Sequence, residues 1–295
     1  MRVTVLEVIQ RSAEFLARKG VESPRLQIEL LLAHVLHLPR LKLYLDFERT
    51  LTAAELESVR ELVKRRGNRE PLQHILGSTC FCGLEIRVNG QVLVPRPETE
   101  LLAERAWQFL SARPPASSTA LDFGTGSGCI AVALAVRCLS ARIHAVDISP
   151  EAIGVARENA AFHRVSDRIR FHLGDGFAAL PPGLSFDLIV ANPPYIPSSE
   201  LDALAPEVRD YDPRPALDGG ADGLDFFRRL AAEGAKHLRP TGLLMAELGD
   251  GQAERVGEKF LQHNWVVENV EADYSGRPRI LVARAERVGS IGVDG

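Results

Sequence analysis

Beyond residue 118 the chain alternates short apolar runs with longer amphipathic stretches. Runs at 119–123, 141–147, 168–173, 186–191, 241–248, 264–271 and 278–284 have strand length. Segments at about 128–138, 150–163, 221–238 and 250–262 fit helices between them. A strand–helix repeat buries both faces of a parallel sheet under helices, so the rhythm predicts an α/β fold with a doubly wound, seven-stranded sheet. Only the turn Asp273-Tyr274-Ser275-Gly276 separates the last two strands. That leaves no room for a crossover helix, and the last strand is predicted antiparallel.

Residues 1–76 read as a helical bundle instead. Leu6, Ile9, Phe15 and Leu16 form one apolar face, and Leu30, Leu31, Val35 and Leu38 recur at helical spacing. Ser23-Pro24 predicts an N-cap with proline in the first turn, and Thr52-x-x-Glu55 a capping box. From Thr79 the period changes to two: Leu84, Ile86 and Val88 alternate, Asn89-Gly90 suits a hairpin turn, and Val92, Leu93 and Val94 follow. Pro97 then opens a helix through Leu110, and a loop rich in Pro, Ser and Ala runs from Ser111 to Thr119. The expected organisation is an N-terminal helical domain (1–76), a β-hairpin linker (77–96), the α/β domain (97–287) and a flexible tail (288–295).

The ends of the first four strands carry the chemistry. Strand one runs into Gly124-Thr125-Gly126-Ser127-Gly128, where glycine lets backbone turn tightly and approach a ligand. The dinucleotide fingerprint would need a glycine where Cys129 stands, so the pattern is GxGxG. Asp147 ends strand two, 21 residues beyond Gly126, where a carboxylate accepts from both hydroxyls of a ribose. Asp175, followed by Gly176, ends strand three and is placed to meet an adenine amino group. After strand four comes Asn192-Pro193-Pro194-Tyr195. The prolines lack N–H groups, so the loop offers carbonyl acceptors with few competing donors. Asn192 adds a side-chain carbonyl and Tyr195 a flat ring, a set that suits a planar group bearing NH₂. Taken singly, each acid also suits a helix N-cap, and Asn and Pro are ordinary turn residues.

Charge narrows the partners. Net charge is −4 and the pI about 6.1, without the footprint of a nucleic-acid backbone binder. The densest basic run, Lys64-Arg65-Arg66 with Arg69, reads as a solvated helix end. No apolar run approaches the ~20 residues of a membrane span, and no leader pattern opens the chain. Cys80, Cys82, Cys129 and Cys138 read as reduced thiols of a cytoplasmic protein, and Cys80-x-Cys82 lacks partners at metal spacing. His34 and His37 share a helical spacing but no third ligand. No metal is expected.

Together the four strand ends resemble the class I S-adenosylmethionine-dependent methyltransferases that modify amino or amide nitrogens. Four segments resemble the HemK/PrmC family within that class: Pro71 to Gly77, Pro95 to Glu100, Asn192 to Ile196, and Asp212 to Gly220 with Gly223-Leu224. The resemblance implies a class I methyltransferase sheet with an N-terminal substrate-recognition bundle. It also implies methyl transfer from S-adenosyl-L-methionine, leaving S-adenosyl-L-homocysteine, to N5 of the glutamine in the Gly-Gly-Gln motif of class I peptide chain release factors. Gly124, Thr125, Gly126, Ser127, Gly128, Asp147, Asp175, Gly176 and Asn192 would bind cofactor; Asn192, Pro193, Pro194 and Tyr195 would bind substrate. Asn192, Pro193 and Tyr195 would be catalytic, the first two as acceptors for the amide hydrogens and Tyr195 against its plane. The expected partner is a protein, with no direct nucleic acid and no membrane, and the enzyme a monomer. Family members often carry an aromatic residue after the third acid; here Gly176 stands there, so either Phe177 covers the adenine or that contact is weaker. The alternatives are an exocyclic base amine of DNA or RNA, a ribosomal-protein glutamine, or a cofactor-sensing protein without turnover.

Overall fold

The computed structural model describes residues 3–113 and 118–286; loop residues 114–117 and the expected tail lie outside them. The chain divides into two compact units, Met1–Ser78 with Ala205–Tyr211, and Thr79–Leu204 with Asp212–Gly295.

The first unit is helical: α1 (Val5–Arg18), α2 (Pro24–Leu36), α3 (Ala53–Gly67) and α4 (Leu72–Leu76). Capping boxes open α1, from Thr4 and Glu7, and α3, from Thr52 and Glu55, so orphan N–H groups are satisfied at both starts. Ser23 differs from expectation. It holds the N-cap position of α2 in the left-handed region (φ 47°), and its side chain caps nothing. Leu16, Ile28, Leu31, Leu32 and Leu43 are fully buried between the helices. Gly67 permits the closest approach there: a Cβ on it would lie 2.6 Å from the Phe15 ring.

The basic run is not a solvated helix end. Arg65 pairs with Glu70 at 2.5 Å, and buried Arg66 donates to Gln27 and, at 2.7 Å, to Glu207. Arg69 grips both oxygens of Glu207, and Tyr211 donates to the Asn68 carbonyl. Two guanidinium partners hold Glu207 down at about 2 against its own desolvation. These bonds explain why 205–211 groups with residues more than a hundred positions earlier.

The second unit begins with β1 (Ser78–Phe81) and β2 (Leu84–Arg87). Their turn is Cys82-Gly83, both left-handed (φ 52° and 77°), not Asn89-Gly90. Glu100 accepts the Cys82 N–H at 2.9 Å and steadies that conformation. Asn89 instead closes a local turn on Gln91 and Val92, and 92–94 is no strand. There follow α5 (Pro97–Ser111), β3 (Thr119–Phe123), α6 (Cys129–Arg137), β4 (Arg142–Asp147), α7 (Pro150–Phe162), β5 (Ile169–Leu173) and β6 (Phe186–Ala191). After the short α8 (Pro206–Arg209) come α9 (Asp225–Glu233), β7 (Leu238–Glu247), α10 (Ala253–Gln262), β8 (Trp265–Ala272) and β9 (Pro278–Ala285).

The seven strands lie in the order β5-β4-β3-β6-β7-β9-β8. Pairings from β5 through β7 are parallel, and β9 is antiparallel to both its neighbours, as the short turn before it requires. Alternate residues divide between two layers. Leu188 and Val190 of β6 pack with α5, α6 and α7, while Ile189 and Ala191 pack with α9 and α10. Strand order reverses between β3 and β6, and crevices at such switch points hold ligands. Phe123 pairs with Ala191, so the loops after these two strands leave the sheet side by side.

Candidate active site

The glycine loop is fastened mainly through its backbone. Gly124 and Thr125 donate their N–H groups to the Val146 carbonyl at 2.9 and 3.0 Å, and Gly174 donates to the Asp147 carbonyl at 2.9 Å. The three strand ends are thus laced together. Gly126 is left-handed (φ 54°), which aims its N–H at Asp147 Oδ2, 2.8 Å away. Gly128 (φ 77°) is required twice over, because a Cβ there would lie 2.8 Å from that of Ala156 on α7. Beneath the loop, buried Asp122 accepts from Thr125 Oγ1 at 2.6 Å and from the Ala131 N–H at 3.1 Å. Burial pushes its carboxyl up to about 7 despite those bonds. Buried Asn159 joins Arg87 to the Ser127 carbonyl.

Asp147 also accepts from the Ser149 N–H, and Ser149 itself caps α7 through the Ala152 N–H at 3.0 Å. The capping role open to Asp147 has gone to its neighbour. Each carboxylate oxygen keeps a second lone pair. Cβ atoms on Gly124 and Gly126 would meet nothing within 4 Å, so the outer side of the loop is open as a cofactor cradle requires. Asp175 is placed at the end of β5 but bound to Arg229, which grips both its side chain and its carbonyl. Phe177 is the other residue that the expected adenine contact left open. It is buried, 4.8 Å from the Phe123 ring and stacked on His237 at 4.7 Å, so it packs into the core.

The Asn192 loop is fastened differently, by side chains from distant segments. Asn192 Nδ2 donates to Thr99 Oγ1 at 3.0 Å, and Thr99 Oγ1 donates to Glu247 Oε2 at 2.7 Å. Thr99 lies in the first turn of α5, Glu247 ends β7, and both are buried. Gln252 donates to the Tyr195 carbonyl at 2.8 Å and accepts from Gly249 at 3.0 Å. Burial pushes the Tyr195 phenol up to about 12, which keeps it neutral.

Segment 212–220 forms a brace. Ile196 donates to the Leu217 carbonyl at 3.0 Å and accepts from Gly219 at 2.8 Å, a short parallel bridge. A Cβ on Gly219 would stand 2.9 Å from the Pro194 carbonyl oxygen, so only glycine lets the brace lie this close. Arg96 reaches buried Asp212 at 2.7 Å, and burial pushes that carboxyl up to about 6. Three of the four segments that carried the resemblance therefore meet around one loop. Among the described residues, no three His, Cys, Asp or Glu side chains stand where one ion could be held.

Residues 7–77 match the family described as PrmC N-terminal domain, and residues 99–206 the Methyltransferase small domain. The chain is 45% identical to the release factor glutamine methyltransferase of Geobacter sulfurreducens, over 95% of this chain and 96% of that protein. It is 46% identical to the protein of the same name from Chlorobaculum tepidum, over 96% and 98%. The chain belongs to the release factor glutamine methyltransferase family. A solved methyltransferase from Pyrococcus furiosus, 19% identical, overlies 70% of this chain and 90% of its own with a TM-score of 0.50, a likeness of fold.

Sequence reasoning gave no role to three residues that fasten the Asn192 loop of this release factor glutamine methyltransferase family member, Thr99, Glu247 and Gln252. Glu247 carried a usable signal, an acid ending a buried strand as Asp147 does. Thr99 lay inside the Pro95 to Glu100 segment of the resemblance but with no role of its own, and Gln252 carried no signal, since what marks both is a partner far away in sequence.

Proposed function

We propose that this protein transfers a methyl group from S-adenosyl-L-methionine to the side-chain amide nitrogen of the Gly-Gly-Gln glutamine in class I peptide chain release factors. The observation that supports it is the register of β3 and β6. Phe123 pairs with Ala191, so an open glycine cradle and an amide-accepting loop start side by side at the switch point.

Gly124 to Gly128 would hold the cofactor's amino-acid portion, and Asp147 would accept from its ribose. Exposed Ile148 offers an apolar surface for the adenine, and Asp175 with Gly176 borders that end. When bound, the cofactor supplies an electrophilic methyl group on a sulfonium. The residues of the chain do the rest. A glutamine nitrogen is a poor nucleophile because its lone pair is delocalised into the carbonyl. As that lone pair is drawn out, positive charge grows on the nitrogen and its two N–H groups become stronger donors. The Asn192 Oδ1 and the Pro193 carbonyl would accept them, stabilising charge where it develops. Tyr195 would lie against the amide plane and Pro194 would keep the loop free of donors. No side chain need take a proton first, since the methylated amide is acidic enough to lose one to water. Orientation of the reacting groups can supply roughly 7–11 kcal/mol in such systems.

The helical unit would read the body of the release factor. It carries a groove of about 330 Å³ floored by Val8, Phe15 and Val59 and rimmed by Arg11, Arg60 and Lys64. We propose a monomer acting in the cytoplasm; no described helix is long and apolar enough to cross a membrane. The test is to incubate the protein with methyl-labelled cofactor and a class I release factor, then locate the label by mass spectrometry. One methyl on the Gly-Gly-Gln glutamine is expected. Label on another residue, or on added nucleic acid alone, removes the reading.

A further inference from the structure

An asparagine side chain is nearly symmetric in shape, so Asn192 can present either its carbonyl or its NH₂ to a ligand. The two presentations are chemically opposite. Facing a glutamine NH₂, the carbonyl accepts a hydrogen, whereas a flipped amide sets donors against donors. The loop must therefore contain something that chooses, and a buried partner on the far side of the amide is the means available. We infer that Glu247, acting through Thr99, is the positioning residue that turns the Asn192 carbonyl toward the substrate amide. This rests on the methyl-transfer reading above and deepens it.

The argument follows the hydrogens. An ionised carboxylate only accepts, so the hydrogen of Thr99 Oγ1 must point to Glu247 Oε2, 2.7 Å away. The hydroxyl oxygen then has only lone pairs to offer at 3.0 Å, and Asn192 satisfies it by presenting Nδ2. A flipped Asn192 would set oxygen against oxygen beside two buried residues, an unpaired polar contact that burial makes costly. Thr99 passes on the polarity of Glu247, and neither residue needs to touch the substrate.

Protonation removes the choice. A neutral Glu247 can donate to Thr99, which frees the threonine hydrogen for Asn192 Oδ1 and makes both orientations acceptable. The charged groups around Glu247 are Arg279 on β9, Arg96 just before α5 and Glu98 within it; the neutral Tyr195 phenol also faces it. Burial outweighs the Thr99 bond and both arginines and pushes this carboxyl up to about 7. Turnover should therefore fall with acid through neutrality, as the ionised form is lost.

The test compares wild type with Glu247→Gln, Thr99→Val and Thr99→Ser, using cofactor and intact release factor. Thr99→Val and Glu247→Gln should lower kcat on the order of 10–100-fold, with cofactor affinity by calorimetry unchanged. Thr99→Ser, which keeps the hydroxyl, should restore most of the rate. The acid limb of the wild-type pH profile should disappear in Glu247→Gln, an effect that mere loss of packing does not produce. Near-wild-type kcat in Thr99→Val, or an unmoved acid limb in Glu247→Gln, overturns this inference alone. Failure of wild type to methylate the glutamine overturns the functional reading itself.

Discussion

The two halves of the site are built on opposite plans. The glycine loop is held chiefly by backbone, with N–H groups of Gly124, Thr125 and Gly126 running to Val146 and Asp147 on the adjacent strand. The Asn192 loop is held by side chains from afar, with Thr99 lying 93 residues away in the chain and Gln252 57 from Tyr195. Backbone fastening tolerates any side chain that leaves the turn possible, and suits a ligand whose parts are fixed. Side-chain fastening permits choice of polarity, which a loop gripping a bare amide needs. Cofactor binding should therefore answer to the first half and turnover to the second.

Asn192→Ala separates the halves most sharply. It should lower kcat on the order of 10²–10³-fold while leaving cofactor affinity within a few-fold, read by steady-state kinetics and calorimetry. Normal turnover in that variant would dissolve the contrast. Next comes Glu247→Gln, read by thermal unfolding at two pH values. In the fold this carboxyl titrates at about 7 against an ordinary 4.5, so the unfolded chain gives up the proton first. Stability falls as pH rises between those values and stays reduced above them. The glutamine variant lacks that loss and should be more stable than wild type at pH 8, by on the order of 1–3 kcal/mol, with the gap closing toward pH 5. A less stable variant at pH 8 would mean that the carboxylate is a net support to the fold. Gly128→Ala tests the backbone half, with little expected effect on turnover. Its Cβ would crowd Ala156, and unfolding should be easier by about 1–3 kcal/mol, with weaker cofactor binding and little change in kcat at saturation.

The same contrast explains what could be read from the chain. The glycines, Asp147 and Asn192 each sit next to the strand that places them, so an apolar run followed by an odd residue reveals both at once. Antiparallel β9 was legible for the same local reason, a turn too short for a helix. What escaped depended on distance. Cys82 takes the left-handed turn with its N–H on Glu100, and nothing near Cys82 in sequence says so, whereas Asn89-Gly90 has the better turn spelling. Arg66 looked solvated because its partner Glu207 comes 141 residues later. Phe177 follows Gly176 in the segment expected to border the adenine, and nothing near it in sequence says that it packs on the rings of Phe123 and His237. In each case a tertiary neighbour overrode a local preference.

Glu207 also bears on how the molecule can be divided. A fragment beginning at residue 79 would keep the strap 205–211 but lose Arg66 and Arg69, the two cations that hold its carboxylate at about 2. Such a piece would hold a loose tether within 10 residues of Pro197, just beyond the acceptor loop. Any fall in its rate would then mix a missing recognition surface with a slackened catalytic segment. Exchanging single groove residues in the intact chain keeps those two causes apart.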